Sequence, residues 1–427
     1  MVKYIQTLIL GVIFSFYVFP FELTFLPGIN TKMALAVLGL YFVIWNFLKQ
    51  ENTNIPRNIL ILSLIAGIVS LIGHISVTYN QTPDYAYANY IVSMWVWLSA
   101  SYAVCCLMLR CYGYLSVELI CNFFIGVCVA QCFLALLIEF NPLIKSVVDS
   151  FILQNQAFLN KTERLYGIGA SLDTAGIRFA AALIMVMYYM CQRTNMVQKK
   201  RIILICIYLI LLIAGNMIAR TTIIGAFLGI LMMLFIVKSN KTNVNIFVIG
   251  IYSLIGIVVY MITIYLYNHN ENIHNLLRFG FETFFNYFET GEMKSGSTDM
   301  LQNMYIFPED LKTWIIGDGY FSNPNYNDPN YVGISSKLGY YKGVDVGYLR
   351  FIYYFGVIGL LAISYVMIYA VKTACNLMVE RRILFITLLL CGFVIWLKVS
   401  TDMFFLYALF LCVANMQNKV MMKSVSR

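Results

Sequence analysis

The sequence predicts an all-α fold, a polytopic membrane helix bundle of about 12 transmembrane helices with a large, partly helical outer loop domain. Three observations predict it. Of the 427 residues, 61% are hydrophobic and only 11% are charged, whereas soluble domains carry about 25% charged residues. Repeated apolar runs are long enough to cross a hydrocarbon core of about 30 Å. Tyr and Phe, at 31 each, suit a chain with many membrane interfaces.

Twelve apolar segments have the length and composition expected of membrane spans. They are 4–20, 33–48, 58–77, 90–108, 114–138, 172–191, 202–218, 221–237, 245–267, 346–371, 383–397 and 402–418. The predicted organisation is therefore 1–267 with helices one to nine, 268–345 as the outer loop domain, and 346–427 with helices ten to twelve. A second, shorter outer loop spans about 139–171.

The basic residues orient these spans, because short cytoplasmic loops carry an excess of Lys and Arg. With the N-terminus inside, 16 basic residues fall in short cytoplasmic segments, against two acidic ones, Glu51 and Glu380. We therefore expect both termini in the cytoplasm. The basic residues are Lys3, Lys49, Arg57, Arg110, Arg193, Lys199, Lys200, Arg201, Lys238, Lys241, Lys372, Arg381, Arg382, Lys419, Lys423 and Arg427.

The longest outer loop, residues 268–345, holds 78 residues and 15 aromatic side chains, a composition that argues against disorder. Its first part has apolar residues at helical spacing, which indicates an amphipathic helix. Such a helix either lies on the bilayer or packs on the bundle. The stripe consists of Ile273, Leu276, Leu277, Phe281, Phe284, Phe285 and Phe288.

Five arginines lie at the predicted outer ends of spans or in the outer loops: Arg164, Arg178, Arg220, Arg278 and Arg350. Charges at membrane depth are costly and commonly functional, although a single arginine at a helix end also snorkels to the headgroups. We expect Arg178, Arg220 and Arg350 to face one outward-open cavity, together with Asp345. Guanidinium groups pair bidentately with phosphate oxygens, so such a cluster suits a lipid pyrophosphate.

Other chemistries find little support in the sequence. The net charge of +9 is spread over short loops, and no basic stripe indicates nucleic-acid binding. The 11 cysteines lie almost entirely in apolar runs without metal-ligand spacing, and His269 and His274 are poorly spaced for a metal. No phosphate-binding loop or nucleophile-elbow motif is present. We therefore expect no metal and no cofactor.

Several short elements between about 160 and 365 resemble those of a known family. They are 164–167 (RLYG) running on to 173–175 (DTA), 219–222 (ARTT), 314–320 (WIIGDGY), 345–350 (DVGYLR) and 355–360 (FGVIGL). The first pair resembles the arginine–glycine segment of the O-antigen polymerase and ligase superfamily. Residues 219–222 resemble its S-R-T/S turn, and 314–320 resemble its G-x-G element. Residues 345–350 together with 355–360 resemble its loop-to-helix junction. That superfamily includes the Wzy-type polymerases.

The junction differs from the ligase branch of that superfamily at one position. The ligase branch has a histidine where this chain has Asp345, although the spacing to Gly356 and Gly359 is kept. The difference favours the polymerase branch, with ligase activity as an alternative. A second alternative is a flippase for lipid-linked oligosaccharides, a transporter that needs no large structured outer loop.

The resemblance implies a glycosyltransferase of the bacterial inner membrane that joins polyprenyl-pyrophosphate-linked glycans at the periplasmic face. Its partners would be these glycans, membrane lipids, and a chain-length regulator and flippase of the same pathway. Asp345 would serve as the base, although it alternatively caps the helix that follows. Arg220 and Arg278 would stabilise the departing pyrophosphate. Substrate binding would involve Arg164, Arg178, Arg350, Trp314 and Tyr320.

Overall fold

The structure, a computed structural model, describes residues 2–49, 55–153, 164–192, 198–240, 261, 263–292, 294–323 and 339–425. Helices dominate these residues. In chain order they are α1 (Val2–Val18), α2 (Thr31–Leu48), α3 (Arg57–Asn80), α4 (Tyr90–Tyr112), α5 (Val117–Phe140), α6 (Pro142–Phe151), α7 (Leu172–Gln192), α8 (Gln198–Ile218), α9 (Thr222–Asn240), α10 (Glu271–Gly280), α11 (Glu282–Thr290), α12 (Gly296–Asn303), α13 (Leu311–Ile315), α14 (Gly347–Leu377), α15 (Arg382–Ile395) and α16 (Phe404–Val425). A short hairpin pairs β1 (Glu22–Leu23) with β2 (Leu26–Asn30).

Seven of these helices are long and apolar enough to cross a membrane: α2, α3, α4, α5, α7, α8 and α14. Shorter apolar stretches lie within α1, α9 and α16. The chain is therefore a helical, multi-pass membrane protein. The predicted span at 245–267 lies mostly outside the described residues.

Local sequence signals account for several helix ends. Asn30 caps α2 by accepting a hydrogen bond from the backbone N–H of Met33 at 3.1 Å. Asn141 caps α6 in the same way, and Pro142 occupies the first turn, where no backbone donor is needed. At the other end of a helix, Gly113 ends α4 in the left-handed conformation (φ 74°) that glycine adopts without steric cost.

The described chain forms two compact units. Unit 1 comprises Met1–Pro20, Ile29–Ile120 and Gly296–Arg427, and unit 2 comprises Phe21–Gly28 and Cys121–Ser295. The predicted outer loop, 268–345, is thus divided between the units after Ser295. In unit 1, α4 packs against α2, α3 and α16, while α14 packs against α3 and α16.

Contacts within unit 1 bring together helix ends that the predicted topology assigns to the same membrane side. Arg381, between α14 and α15, pairs with Glu118 at the start of α5 at 3.2 Å. Gln417 of α16 donates a hydrogen bond to the carbonyl of Leu115, just before α5, at 2.8 Å. All four residues belong to segments predicted to be cytoplasmic or to the adjoining helix ends.

Helix α7 forms the centre of unit 2, and almost all its side chains from Ala175 to Tyr189 are buried. Helix α9 approaches it closely because Gly225 has no side chain; a Cβ there would overlap the backbone of Ala180. Residues 271–290 form α10 and α11. Helix α10 buries Leu276 and Leu277, and a Cβ on Gly280 would lie 3.2 Å from the backbone of Asn216 at the end of α8. The amphipathic stripe allowed this segment either to lie on the bilayer or to pack on the bundle. These contacts show that α10 packs on the bundle.

Candidate functional site

In unit 2, two of the predicted site arginines, one from the catalytic set and one from the substrate-binding set, converge on one aromatic ring. Arg220 lies in the turn between α8 and α9, and its guanidinium group is 4.2 Å from the ring centroid of Phe279. Arg164 approaches the same centroid to 4.8 Å. Arg220 also donates from Nε to the carbonyl of Phe279 at 2.7 Å and pairs through Nη2 with Glu282 at 2.7 Å. We call Arg164, Arg220, Phe279 and Glu282 the Phe279 cluster.

The turn that carries Arg220 is fixed against the start of α7. Gly176 makes this possible, since a Cβ at this position would overlap the hydroxyl of Thr221. That hydroxyl donates to the carboxylate of Asp173 at 3.2 Å. The hydroxyl of Thr222 donates to the carbonyl of Gly215 at 3.0 Å and closes the turn. Both threonines of the A-R-T-T element therefore form hydrogen bonds that hold the turn, and the side chain of its arginine extends toward α10.

The segment that carries Arg164 is held by one side chain of α5. Gln131 donates from Nε2 to the carbonyl of Ile168 at 2.9 Å and accepts from the N–H of Ile168 at 3.0 Å. Gly167 donates to the carbonyl of Ala170 at 2.8 Å, which folds the segment into a turn just before α7. A Cβ on Gly167 would overlap the Gln131 side chain. The glycine of the R-x-x-G element is thus required by this close approach.

Burial governs the charge of Arg220. Removal from water lowers the pKa of the guanidinium, and the neighbouring Glu282 carboxylate raises it again. The group remains cationic, because the reference pKa of arginine is above 12. The cluster brings together two guanidinium groups, those of Arg164 and Arg220, and guanidinium groups pair with phosphate oxygens. The Phe279 cluster can therefore bind an anionic group such as a phosphate.

Arg278 and Arg178 make separate contacts. Arg278 forms two parallel hydrogen bonds with Glu289 of α11, both 2.6 Å, and these bonds raise its pKa. Arg178 is buried within α7 and donates to the carbonyl of Thr174 one turn earlier. Neither contact is with the ring of Phe279.

In unit 1, Arg350 contacts four residues from three segments of the chain. It donates to the hydroxyl of Ser400 at 2.8 Å and to the carbonyl of Phe321 at 3.0 Å. Its guanidinium lies 3.8 Å from the ring centroid of Phe321 and 4.7 Å from that of Tyr340. Asp345 completes this set of contacts, with a carboxylate oxygen 3.8 Å from Nη1. Buried in this way, Arg350 connects the end of the long loop to the α15–α16 turn.

Asp345 is 15% exposed at its side chain and precedes the N-cap residue of α14, which is Val346. The N-cap position of this helix is therefore occupied by Val346, which makes no side-chain capping hydrogen bond, and not by Asp345. Its described ionic partner is Arg350. The carboxylate therefore lies beside a buried cation at the start of a membrane helix.

The G-x-G element packs against a break in α14. Phe355 and Gly356 leave the helical conformation, with φ values of −144° and 71°. The break frees the carbonyls of Tyr353 and Tyr354, which accept from the N–H groups of Asp318 (2.6 Å) and Gly319 (3.1 Å). The two glycine-containing elements at 314–320 and 355–360 are therefore in direct contact.

The two predicted aromatic binding residues occupy different environments. Tyr320 is 3% exposed and stacks on Tyr341 with ring centroids 5.3 Å apart, so its ring faces protein. Trp314 is partly buried and donates from Nε1 to the carbonyl of Pro308 at 2.9 Å. It also stacks near Phe307, whose side chain is 58% exposed.

Residues outside the predicted set also contribute to the surroundings of Arg350. Asp84 accepts from the N–H groups of Phe321 (2.8 Å) and Ser322 (3.0 Å) and so holds the loop on which Arg350 stacks. Tyr87, in the same α3–α4 loop, is buried, and this burial raises the pKa of its phenol, with Asp402 adding to the effect. The Pro83-Asp84 pair is a turn signal that would have indicated this loop.

The described structure brings Arg164 together with Arg220 in unit 2, and Asp345 together with Arg350 in unit 1. A single cavity shared by Arg178, Arg220, Arg350 and Asp345 stays a prediction. Within the described ranges, no three His, Cys, Asp or Glu side chains are grouped as a metal site requires. No family model matches the chain, and no curated protein and no solved structure was found to be similar to it.

Proposed function

We propose that the protein is a polysaccharide polymerase that joins polyprenyl-pyrophosphate-linked repeat units at the periplasmic face of the bacterial inner membrane. A hydroxyl at the non-reducing end of one glycan attacks the anomeric carbon of the other. The glycosidic bond forms as the bond to the pyrophosphate oxygen breaks, and polyprenyl pyrophosphate leaves. The product belongs to the O-antigen, capsular or related polysaccharides.

The observation that supports this proposal most directly is the convergence of Arg164 and Arg220 on Phe279. Both arginines come from elements that resemble the superfamily, and they are 56 positions apart in the chain (220 − 164). A departing pyrophosphate accumulates negative charge, which preorganised guanidinium groups stabilise. In the proposed reaction, Arg164 and Arg220 bind the phosphates, and Arg278 joins them after exchanging Glu289 for substrate.

Asp345 is the proposed base for the attacking hydroxyl. One of its carboxylate oxygens lies 3.8 Å from Nη1 of Arg350, and a carboxylate within reach of a hydroxyl can accept its proton. In this proposal Arg350 positions Asp345 and does not touch the substrate. Its Nη1 and Nη2 groups donate to Ser400 and Phe321, and these bonds hold the guanidinium group beside the carboxylate. The reaction as proposed uses no metal and no nucleotide.

The proposed topology has about 12 spans, both termini in the cytoplasm, and residues 268–345 as an outer loop domain. The positive-inside distribution of basic residues supports it. The four helices α10 to α13 within this segment support a structured loop rather than a linker.

Deletion of the gene, followed by analysis of surface glycans, tests the proposal. We expect single repeat units on the surface and no long chains, with restoration by the intact gene. Loss of all surface glycan would identify a flippase, and long chains confined to the lipid carrier would identify a ligase. An unchanged chain-length distribution would contradict every one of these functions.

A further inference from the structure

Helix α6, in the shorter predicted outer loop, has hydrophobic side chains on two faces. One face packs into unit 2 through the buried Val148. The other presents Leu143, Val147 and Phe151, whose side chains are 78%, 56% and 55% exposed. Spacing of four residues places these three in one stripe along the helix. An apolar stripe of this kind is costly to leave in water.

The β1–β2 hairpin extends this apolar surface. Thr24 donates from its backbone N–H to the carbonyl of Phe151 at 3.0 Å, which fixes the hairpin beside the end of α6. Phe25 and Leu26 at the turn are 64% and 46% exposed, and Leu153 just after α6 is 52% exposed. We call these side chains the apolar platform, which consists of Phe25, Leu26, Leu143, Val147, Phe151 and Leu153.

The polar groups on the exposed face of α6 are satisfied by the helix itself. The hydroxyl of Ser146 donates to the carbonyl of Leu143 at 2.9 Å, and that of Ser150 donates to the carbonyl of Val147 at 2.8 Å. A hydroxyl without a partner would be costly to remove from water, whereas one bonded to its own helix is not. The face therefore tolerates a medium of low polarity.

The span that directly precedes α6 in the chain also exposes apolar side chains. The last turns of α5 expose Phe133, Leu137 and Phe140 by 51%, 52% and 46%. Helix α6 begins two residues after α5 ends, with Asn141 alone between the two helices. In a span as apolar as α5, exposed residues of this kind face hydrocarbon.

We propose that the apolar platform lies in the bilayer, at the boundary between headgroups and acyl chains, and that α6 is an interfacial helix. The position of α6 directly after α5 in the chain and the self-bonded serines favour lipid over water or a protein partner. The platform holds α6 at membrane level, and this role is independent of the proposed reaction.

Carbene labelling of the wild-type protein in liposomes tests this inference. A photoactivated probe that partitions into hydrocarbon should label 142–153 within about twofold of the end of α5, since both would contact acyl chains. The segment around Glu292, whose side chain is 61% exposed, provides the water-facing reference. Labelling of 142–153 at the level of that reference would overturn the inference.

A second measurement distinguishes lipid from a protein occupant. Benzoylphenylalanine introduced in place of Val147 should give adducts with the mass of one phospholipid after irradiation, as should the same residue in place of Leu137 on α5. Adducts with a second copy of the chain, or with another protein, would show that the stripe is a protein interface and would overturn the assignment.

Discussion

Glu282 and Arg220 form an ion pair with an N–O distance of 2.7 Å, and their side chains are 26% and 19% exposed. A second pair joins Arg278 of α10 to Glu289, which lies on the same short helix as Glu282, α11. Both arginines proposed to stabilise the leaving group are therefore engaged by carboxylates of one helix, α11. A phosphate that binds these arginines competes with Glu282 and Glu289 for the same N–H donors.

This competition predicts that Glu282→Gln tightens the binding of inorganic pyrophosphate. An ion pair at this exposure is worth up to about 1 kcal/mol, so we expect the apparent Kd to fall about two- to fivefold. Isothermal titration of the purified protein measures it. Glu292→Gln, which removes an exposed pair with Lys294, serves as the matched control. Weaker binding by the Glu282 variant would contradict the competition. It would show that Glu282 instead holds Arg220 in the orientation that binds the anion.

Arg220→Ala should abolish polymerisation while the protein still inserts into the membrane. The lost contact to a leaving pyrophosphate is worth about 2–4 kcal/mol, or about 10²–10³ in rate. Arg220→Lys should restore little activity, since an ammonium cannot pair bidentately. Chain length on surface glycans is the measurement, and Arg57→Ala, at an exposed position at the start of α3, is the control. Normal polysaccharide from the alanine variant would remove Arg220 from the proposed mechanism.

Gly356→Ala should destabilise unit 1. Gly356 has φ of 71°, and a Cβ there would overlap the carbonyl of Ile315, so both backbone strain and steric overlap oppose the substitution. We expect a loss of at least about 2 kcal/mol, seen as a lower melting temperature in detergent. Gly126→Ala is the control, because a Cβ at Gly126 in α5 meets no atom within 4 Å. Equal melting temperatures for the two variants would contradict a packed helix break.

The sequence predicted the helices better than the contacts between them. Apolar runs are a local signal, and the predicted span 172–191 agrees with α7 at Leu172–Gln192. The Phe279 cluster had no such signal, since Phe279 and Arg220 are 59 residues apart. The break in α14 was missed as well, because Gly356 alone inside an apolar run does not reveal that the backbone at Ile315 approaches it.

Reporter fusions should place residues 268–345 outside the cytoplasm and the C-terminus inside. The 16 basic residues in short segments of the predicted inner side are the reason. We expect alkaline phosphatase activity from a fusion at Asn325, a position outside the described residues, and none from a fusion after Arg427. Cytoplasmic reporter activity at Asn325 would move the proposed active site to the wrong face of the membrane.

Asp345→Asn should stop polymerisation without unfolding the protein. The amide keeps the size of the side chain and can still accept a hydrogen bond, but it cannot take a proton from an attacking hydroxyl at neutral pH. Because Asp345 lies before the N-cap of α14, helix capping does not explain a loss of activity. The neighbouring Arg350 keeps its bonds to Ser400 and Phe321, so we expect only a small change in melting temperature.

The measurement for Asp345→Asn is the chain length of surface glycans at matched membrane abundance. Asp310→Asn is the control, since Asp310 is exposed and makes no side-chain hydrogen bond as the N-cap of α13. Single repeat units from the Asp345 variant, with long chains from the control, would support a base at this position. Asp345→Glu should recover part of the activity, because a longer carboxylate still accepts the proton. Full activity from Asp345→Asn would leave the arginines of the Phe279 cluster as the core of the site and assign Asp345 only the pairing of Arg350.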